Sequence, residues 1–304
     1  MVTRRTKSIK SRLLDLSMTR EGMATSFDGT KIAYKTVGSG LPLICCNGIG
    51  CNTFYFKWIE EHFKAHHQVI TWDYRGHGKS ESPKKSKNST ILSLVKDMKS
   101  VMDELKIEKA VLIGHSMGVQ IIYEFYKHYP HHARGLIACF GTFEKPMSTF
   151  LNSPFSKYVF EGVYHLNQNF PVLMKWIGMA LIKNPLWFQV GGLLKFMKTT
   201  LLDKNVMQQY IDHFVTMDPI FFTTLVRDWQ NHSSVETLKA IKVPTLIISG
   251  EEDQFTPAWI SKKMHHLIPG SELFMIKNAT YAGLAEQPEL VNLRIEKFLK
   301  QKVK

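Results

Sequence analysis

The sequence predicts an α/β fold, a mostly parallel central sheet flanked by helices with a helical insertion in its second half. Three observations predict it. Short apolar runs of strand type alternate with amphipathic helical segments along most of the 304 residues. One such strand, residues 110–114, runs straight into Gly114-His115-Ser116-Met117-Gly118 and then into a helical stretch. The alternation stops between about 143 and 238, where strand punctuation disappears and Phe, Trp, Met and Leu accumulate. With 44% hydrophobic and 21% charged residues, the composition is globular and not disordered. A chain of this length builds a core without disulfide staples.

The elements follow in order. Residues 23–27 and 31–36 flank Asp28-Gly29, a hairpin signal. Residues 42–46 are a short buried strand, and Phe54, Trp58 and Phe63 give 53–63 near-helical spacing. A strand at 68–72 precedes the helix 91–105, whose apolar face is Leu94, Val95, Met98, Val101, Met102 and Leu105. After the strand 110–114 come a helix over 117–128 and a strand at 135–140. Beyond the insertion stand a strand at 244–249, a helix near 257–267, a strand at 272–276 and a closing helix over about 289–299. The expected division is a basic N-terminal segment at 1–20, a core of 21–142 with 239–304, and a helical cap at 143–238.

The net charge of +13 raises the question of a polyanionic partner. The lysines are scattered or terminal (Lys297, Lys300, Lys302, Lys304), and Lys84-Lys85-Ser86-Lys87 reads as a solvated loop, so no nucleic-acid partner is expected. Attraction to an anionic membrane surface fits the charge better. Residues 1–12 carry Arg4, Arg5, Lys7, Lys10 and Arg12 without an acid, but no apolar run of signal-peptide type follows, so a cytoplasmic protein is expected. Ile9, Leu13 and Leu16 beside those charges read as a helix packed on the domain or lying on a membrane. Lysines and Pro185 interrupt the apolar stretch 170–202, so it offers no clean span of the ~20 residues a transmembrane helix needs. Cys45 and Cys46 point to opposite faces of a strand and cannot pair simply, and no cysteine or histidine spacing suggests zinc. Free buried thiols are expected for these two, Cys51 and Cys139.

The strand-G-x-S-x-G-helix unit carries the chemistry. A serine on a very tight strand-to-helix turn needs neighbours without side chains, and the turn lifts its hydroxyl above the carboxyl edge of the sheet. The new helix adds free N–H groups and a positive dipole end. With four further segments the chain resembles the α/β-hydrolase superfamily from about 23 to 300. Cys46-Asn47-Gly48-Ile49-Gly50 stands where that family has its oxyanion loop. Asp73-Tyr74-Arg75-Gly76-His77-Gly78-Lys79-Ser80 resembles its D-x-R-G-x-G-x-S loop. Ser249-Gly250-Glu251-Glu252-Asp253 with Thr256-Pro257 resembles its acid loop, and Glu286-Gln287-Pro288-Glu289 the start of its last helix.

The resemblance implies an α/β-hydrolase fold, Ser116 as nucleophile, Asp253 as triad acid, and backbone N–H groups of Ile49 and Met117 as the oxyanion hole. Asn47 replaces the more usual histidine and is read as pinning the loop. His77 and His115 are read as structural. One departure stands out. Five residues before Glu286, and 28 beyond Asp253, where relatives carry the catalytic histidine, the sequence has Tyr281. No histidine follows His266. A phenol, with a pKa of about 10, donates near neutral pH and does not act as a base. Three accounts stay open: a recent or deliberate substitution in a working hydrolase, a non-hydrolytic relative that binds a ligand, or slower chemistry with Tyr281 as donor.

The expected function is a serine hydrolase of carboxylic esters with apolar acyl groups, impaired by Tyr281, and the alternative is a silent module binding a small apolar ligand. No cofactor and no metal are implied. Phe170, Trp176, Met179, Trp187, Phe188, Phe196 and Met197 are expected either to form the cap's own core or to line an acyl pocket above Ser116.

Overall fold

The computed structural model describes residues 19–303 except 151, 152, 154, 185, 194–196 and 203. The readings on residues 1–18, including the stripe of Ile9, Leu13 and Leu16, and on Phe196 lie outside the described residues. Eight strands form one sheet: β1 (Arg20–Thr25), β2 (Lys31–Val37), β3 (Leu41–Cys46), β4 (His67–Trp72), β5 (Ala110–His115), β6 (Ala133–Cys139), β7 (Thr245–Gly250) and β8 (Glu272–Ile276). Their order across the sheet is β1-β2-β4-β3-β5-β6-β7-β8. The hairpin β1–β2 and the β2–β4 pair are antiparallel, and every other pair is parallel. The fold is that of an α/β hydrolase, as the sequence implied.

Among the described residues the α-helices are α1 (Lys57–Phe63), α2 (Ile91–Glu104), α3 (Met117–His128), α4 (Pro146–Thr149), α5 (Ser156–Asn169), α6 (Pro171–Ile182), α7 (Leu186–Leu193), α8 (Lys204–Phe214), α9 (Pro219–Asn231), α10 (Val235–Ala240), α11 (Ala258–Leu267), α12 (Gly283–Glu286) and α13 (Pro288–Lys302). Helices α4 to α10 all fall between β6 and β7. The segment 53–63 differs from the single helix expected: Thr53–Phe56 is a 3-10 turn, begun by Asn52 accepting from the Phe54 N–H, and only then does α1 start.

Period decides burial in the core. Leu43 and Cys45 pack on one face of the sheet with Val111, Ile113 and Phe298, while Ile44 and Cys46 pack on the other with Leu112, Met98 and Ile122. All four cysteines are free and buried. Helix α2 is capped by the Thr90 hydroxyl accepting from the Ser93 N–H at 3.1 Å. It buries Ile91, Leu94, Val95, Met98, Val101 and Met102, each worth about 1.5–3 kcal/mol over an exposed position. Fully buried Arg75 ties this layer to the hairpin, bonding Asp97 at 2.6 and 2.7 Å and the Asp28 carboxylate of the β1–β2 turn at 2.9 Å.

The segment 170–202 departs from its expected role. Phe170 and Trp176 are exposed and belong neither to a cap core nor to the pocket beside Ser116. Met197 does line that pocket, and Met179 lines a different cavity. Nothing is described of the Trp187 and Phe188 side chains. The segment forms two short helices, α6 and α7, separated at the sequence Lys183-Asn184-Pro185, and none of the residues of α6 is buried.

Candidate active site

The sharp turn between β5 and α3 places Ser116 with φ +56° and ψ −118°, a conformation costly for a residue with a side chain. Its neighbours explain how the turn closes. A Cβ on Gly118 would stand 2.1 Å from the Cys46 carbonyl oxygen, and one on Gly114 would stand 2.4 Å from that of Gly118. Both approaches need glycine. Met117 is the first residue of α3, so its N–H has no helical acceptor.

The loop after β3 comes up beside the serine. A Cβ built on Gly48 would lie 3.1 Å from Ser116 Cβ and 3.5 Å from its Oγ. The N–H of Ile49 takes no part in the backbone hydrogen bonds of this turn. The loop is held on several sides. Asn47 Nδ2 donates to the Trp72 carbonyl at 3.1 Å, and the Tyr74 hydroxyl donates to the Asn47 carbonyl at 2.6 Å. The Gly50 N–H donates to His77 Nε2 at 3.2 Å. Burial pushes His77 down to about 3, so it stays neutral and keeps that acceptor.

A residue the sequence reading passed over completes the clamp. His213, near the end of α8, accepts the Gly78 N–H on Nε2 at 2.8 Å, so its proton sits on Nδ1 and is donated to the Gly50 carbonyl at 2.8 Å. One imidazole from the inserted helices thus joins the loop after β3 to the loop after β4. No local motif marks it, because its partners lie 135 and 163 residues away. Glu286 was noticed only as part of a helix start. In the fold its carboxylate accepts from the Thr280 N–H, the Thr280 hydroxyl and the Lys198 N–H, fixing the loop that bears Tyr281.

Asp253 and Tyr281 stand on the loops after β7 and β8, so all the expected site residues meet at the carboxyl edge of the parallel strands. Asp253 spends its oxygens on its own loop, accepting from the N–H groups of Phe255 and Thr256 at 2.8 and 2.7 Å and from the Thr256 hydroxyl at 2.7 Å. Burial raises its carboxyl to about 6 despite those donors. The Tyr281 hydroxyl donates to Ser116 Oγ. Its ring stacks on Phe255 at 4.5 Å and leans on His115 at 5.3 Å. Burial pushes the phenol pKa well above its ordinary value. Ser116 itself has no exposed surface.

His115 is the imidazole nearest the serine in sequence. Its ring packs against Tyr55 at 4.5 Å, and burial lowers it to about 3, which makes it a feeble proton acceptor at neutral pH. On the far side of Tyr281 opens a cavity of about 200 Å³. Ile49, Cys51, Met197, Leu202, Val206, Met207 and Phe255 line it with Tyr281 and His115, an almost wholly apolar wall.

Comparison with known proteins bears on the fold and its family. A family described as alpha/beta hydrolase fold matches residues 42–171, and one described as TAP-like protein matches 224–302. The uncharacterized hydrolase YugF of Bacillus subtilis is 26% identical over 286 residues, 90% of this chain and 96% of the relative. Epoxide hydrolase 4 of Mus musculus is 26% identical, covering 91% of this chain and 78% of its own. Among solved structures, an esterase from Exiguobacterium antarcticum superposes with a TM-score of 0.75 at 20% identity over 93% of this chain and 100% of its own. A bromoperoxidase from Bacillus anthracis gives 0.77 at 20% identity over the same shares.

Proposed function

The chain belongs to the α/β-hydrolase superfamily, and from that premise we propose that it is a hydrolase of carboxylic esters with apolar acyl groups, working through an acyl-enzyme on Ser116 and slowed by Tyr281. The observation that carries the reading is the strained Ser116 turn with the unengaged Ile49 and Met117 N–H groups beside it. An ester carbonyl attacked there develops negative charge where those two donors can meet it. The apolar cavity past Tyr281 takes the acyl chain.

Six relatives bear the name epoxide hydrolase. The hydroxyl at the elbow argues for esters instead. A serine oxygen that opened an epoxide would form an ether, which water does not readily cleave, whereas an acyl-serine is an ester that a second water hydrolyses.

Tyr281 takes the place of the general base, and with its pKa raised it does not remove the Ser116 proton. Loss of the base in serine proteases costs roughly a millionfold in turnover, while binding and an oxyanion hole keep roughly a thousandfold over water. Slow acylation is therefore the expected behaviour. The complete burial of Ser116 beneath the Tyr281 hydrogen bond favours a second reading, a silent module that binds a small apolar ligand in the same cavity. Incubation with p-nitrophenyl butyrate and with a fluorophosphonate probe, followed by peptide mass spectrometry, separates the two. Slow p-nitrophenol release together with probe mass on the Ser116 peptide, both absent in Ser116→Ala, supports the hydrolase. Wild type no faster than Ser116→Ala sinks it.

A further inference from the structure

Helices α5, α6 and α7 carry apolar side chains on the outside. On α5 the stripe is Val159, Val163 and Leu166, followed by Phe170. On α6 it is Val172, Leu173, Trp176, Ile177 and Leu181, and on α7 Leu186, Val190 and Leu193. Spacings of three and four residues put each set on one helix face. These are large exposures: 71% for Val172, 67% for Trp176 and 82% for Leu193. Helix α6 is apolar almost all round, yet none of its residues is buried. A helix of that kind has a medium other than water on its outer side.

The charge around this surface is mostly positive, and the acid on its helices, Glu161 of α5, is paired with Arg227 at 3.7 Å. Residues 162–202 contain no Asp or Glu, while Lys175 and Lys183 project from α6 and its end, both exposed and in no ion pair among the described residues. A second copy of the chain, packed by a two-fold axis, would set these lysines against one another, and Glu161, the acid on these helices, is already paired with Arg227. An anionic lipid surface meets both features, with apolar side chains entering the acyl boundary and the ammonium groups staying among the headgroups. The face also opens into a cavity of about 270 Å³ between α6 and the helices α8 and α9, walled by Val163, Ile177, Leu181, Phe214 and Met217. At its wall Asn167 is 2% exposed, and its Oδ1 has no hydrogen-bond partner. No helix among the described residues is long and apolar enough to cross a membrane, so the contact is interfacial.

We propose that the α5–α7 face is a docking surface for an anionic lipid bilayer. The test is flotation of the full chain with vesicles of phosphatidylcholine alone and of an equal mixture with phosphatidylglycerol, at low and high salt. The protein should float with the mixed vesicles, less so at high salt. Leu173→Ser with Trp176→Ser should weaken binding about tenfold or more. Lys175→Glu with Lys183→Glu should weaken it several-fold for each lysine on the mixed vesicles, about fivefold per unit of charge near the surface. All four side chains are exposed, so both variants should keep the wild-type circular dichroism spectrum. Wild type left unbound by mixed vesicles overturns the proposal. A wild-type dimer that the Leu173/Trp176 pair dissociates also overturns it, by showing a second copy to be the occupant.

Discussion

Tyr281 donates a hydrogen bond to the hydroxyl of Ser116, so the residue beside the nucleophile gives a proton where a base would take one. The phenol is the more acidic of the two hydroxyls and so the donor, and burial raises its pKa and keeps it protonated across the physiological range. A serine oxygen that accepts a hydrogen bond is less nucleophilic, and its own proton has no acceptor among the described residues. The elbow, the loop after β3 and the pocket are present, while the proton path is closed.

Replacing Tyr281 by histidine should open that path. We expect Tyr281→His to raise hydrolysis of short p-nitrophenyl esters by about two orders of magnitude or more, the usual scale of a positioned base. The pH dependence should change with it. Wild-type activity should stay flat between about pH 7.5 and 9, above the Asp253 titration near 6, because a raised phenol does not titrate there. The variant should gain activity as pH rises through the imidazole range near 6.5. A folded Tyr281→His protein as slow as the wild type would show that the missing base is not the limiting defect.

Among the described residues no cation balances Asp253. Its carboxyl lies near 6 in the fold against 3.8 for the free group, so the folded state holds the proton more tightly. The stability this gives is fully present below about pH 4 and is lost as pH rises through 6. The shift corresponds to at most about 3 kcal/mol, at roughly 1.4 kcal/mol per pKa unit. Urea unfolding of wild type and Asp253→Asn at pH 5 and pH 7.5 should isolate it, since the histidines are common to both. The Asn variant should gain on the wild type by about 1–3 kcal/mol at the higher pH. Equal pH slopes would refute the buried uncompensated charge.

The sheet and its site-bearing edge were legible because local patterns specify them. Buried strands such as 110–114 announce themselves by composition, and the Ser116 turn by glycines that nothing larger could replace. The inserted helices were less legible. Their apolar residues read as core or pocket, but whether Trp176 faces inward depends on neighbours that periodicity does not supply. His213 and Glu286 were unread as site residues for the same reason, since each acts through backbone groups from distant segments.

His213 offers a direct check on how the inserted helices serve the loop after β3. Its two bonds hold Gly50 and Gly78 together, and Gly50 follows the Ile49 donor in sequence. We expect His213→Phe, assayed in the Tyr281→His background, to lower kcat about tenfold to a hundredfold with a smaller change in KM, the cost of a donor displaced by about an ångström. His213→Gln, which can donate and accept, should recover part of the loss. Equal falls in both variants through KM alone would place His213 in substrate binding instead.

The cavity beyond Tyr281 sets the last expectation, a chain-length preference. Its wall is aliphatic, aromatic and sulfur-bearing, with Met197 and Met207 able to rearrange around chains of different length. Each added methylene that enters it leaves water, worth about 0.8 kcal/mol or roughly fourfold in affinity. The trend should run from acetyl towards longer p-nitrophenyl esters and stop where the chain meets the far wall. Partly buried Met207 lines the cavity, so Met207→Trp should shorten it and shift the best substrate to a shorter acyl group while leaving acetyl hydrolysis nearly unchanged. Ester series on both proteins, kept below their aggregation limits, measure this directly. An even response from acetyl to octanoyl in the wild type would show that the acyl chain lies elsewhere, and an unshifted optimum in Met207→Trp would show that it does not reach Met207.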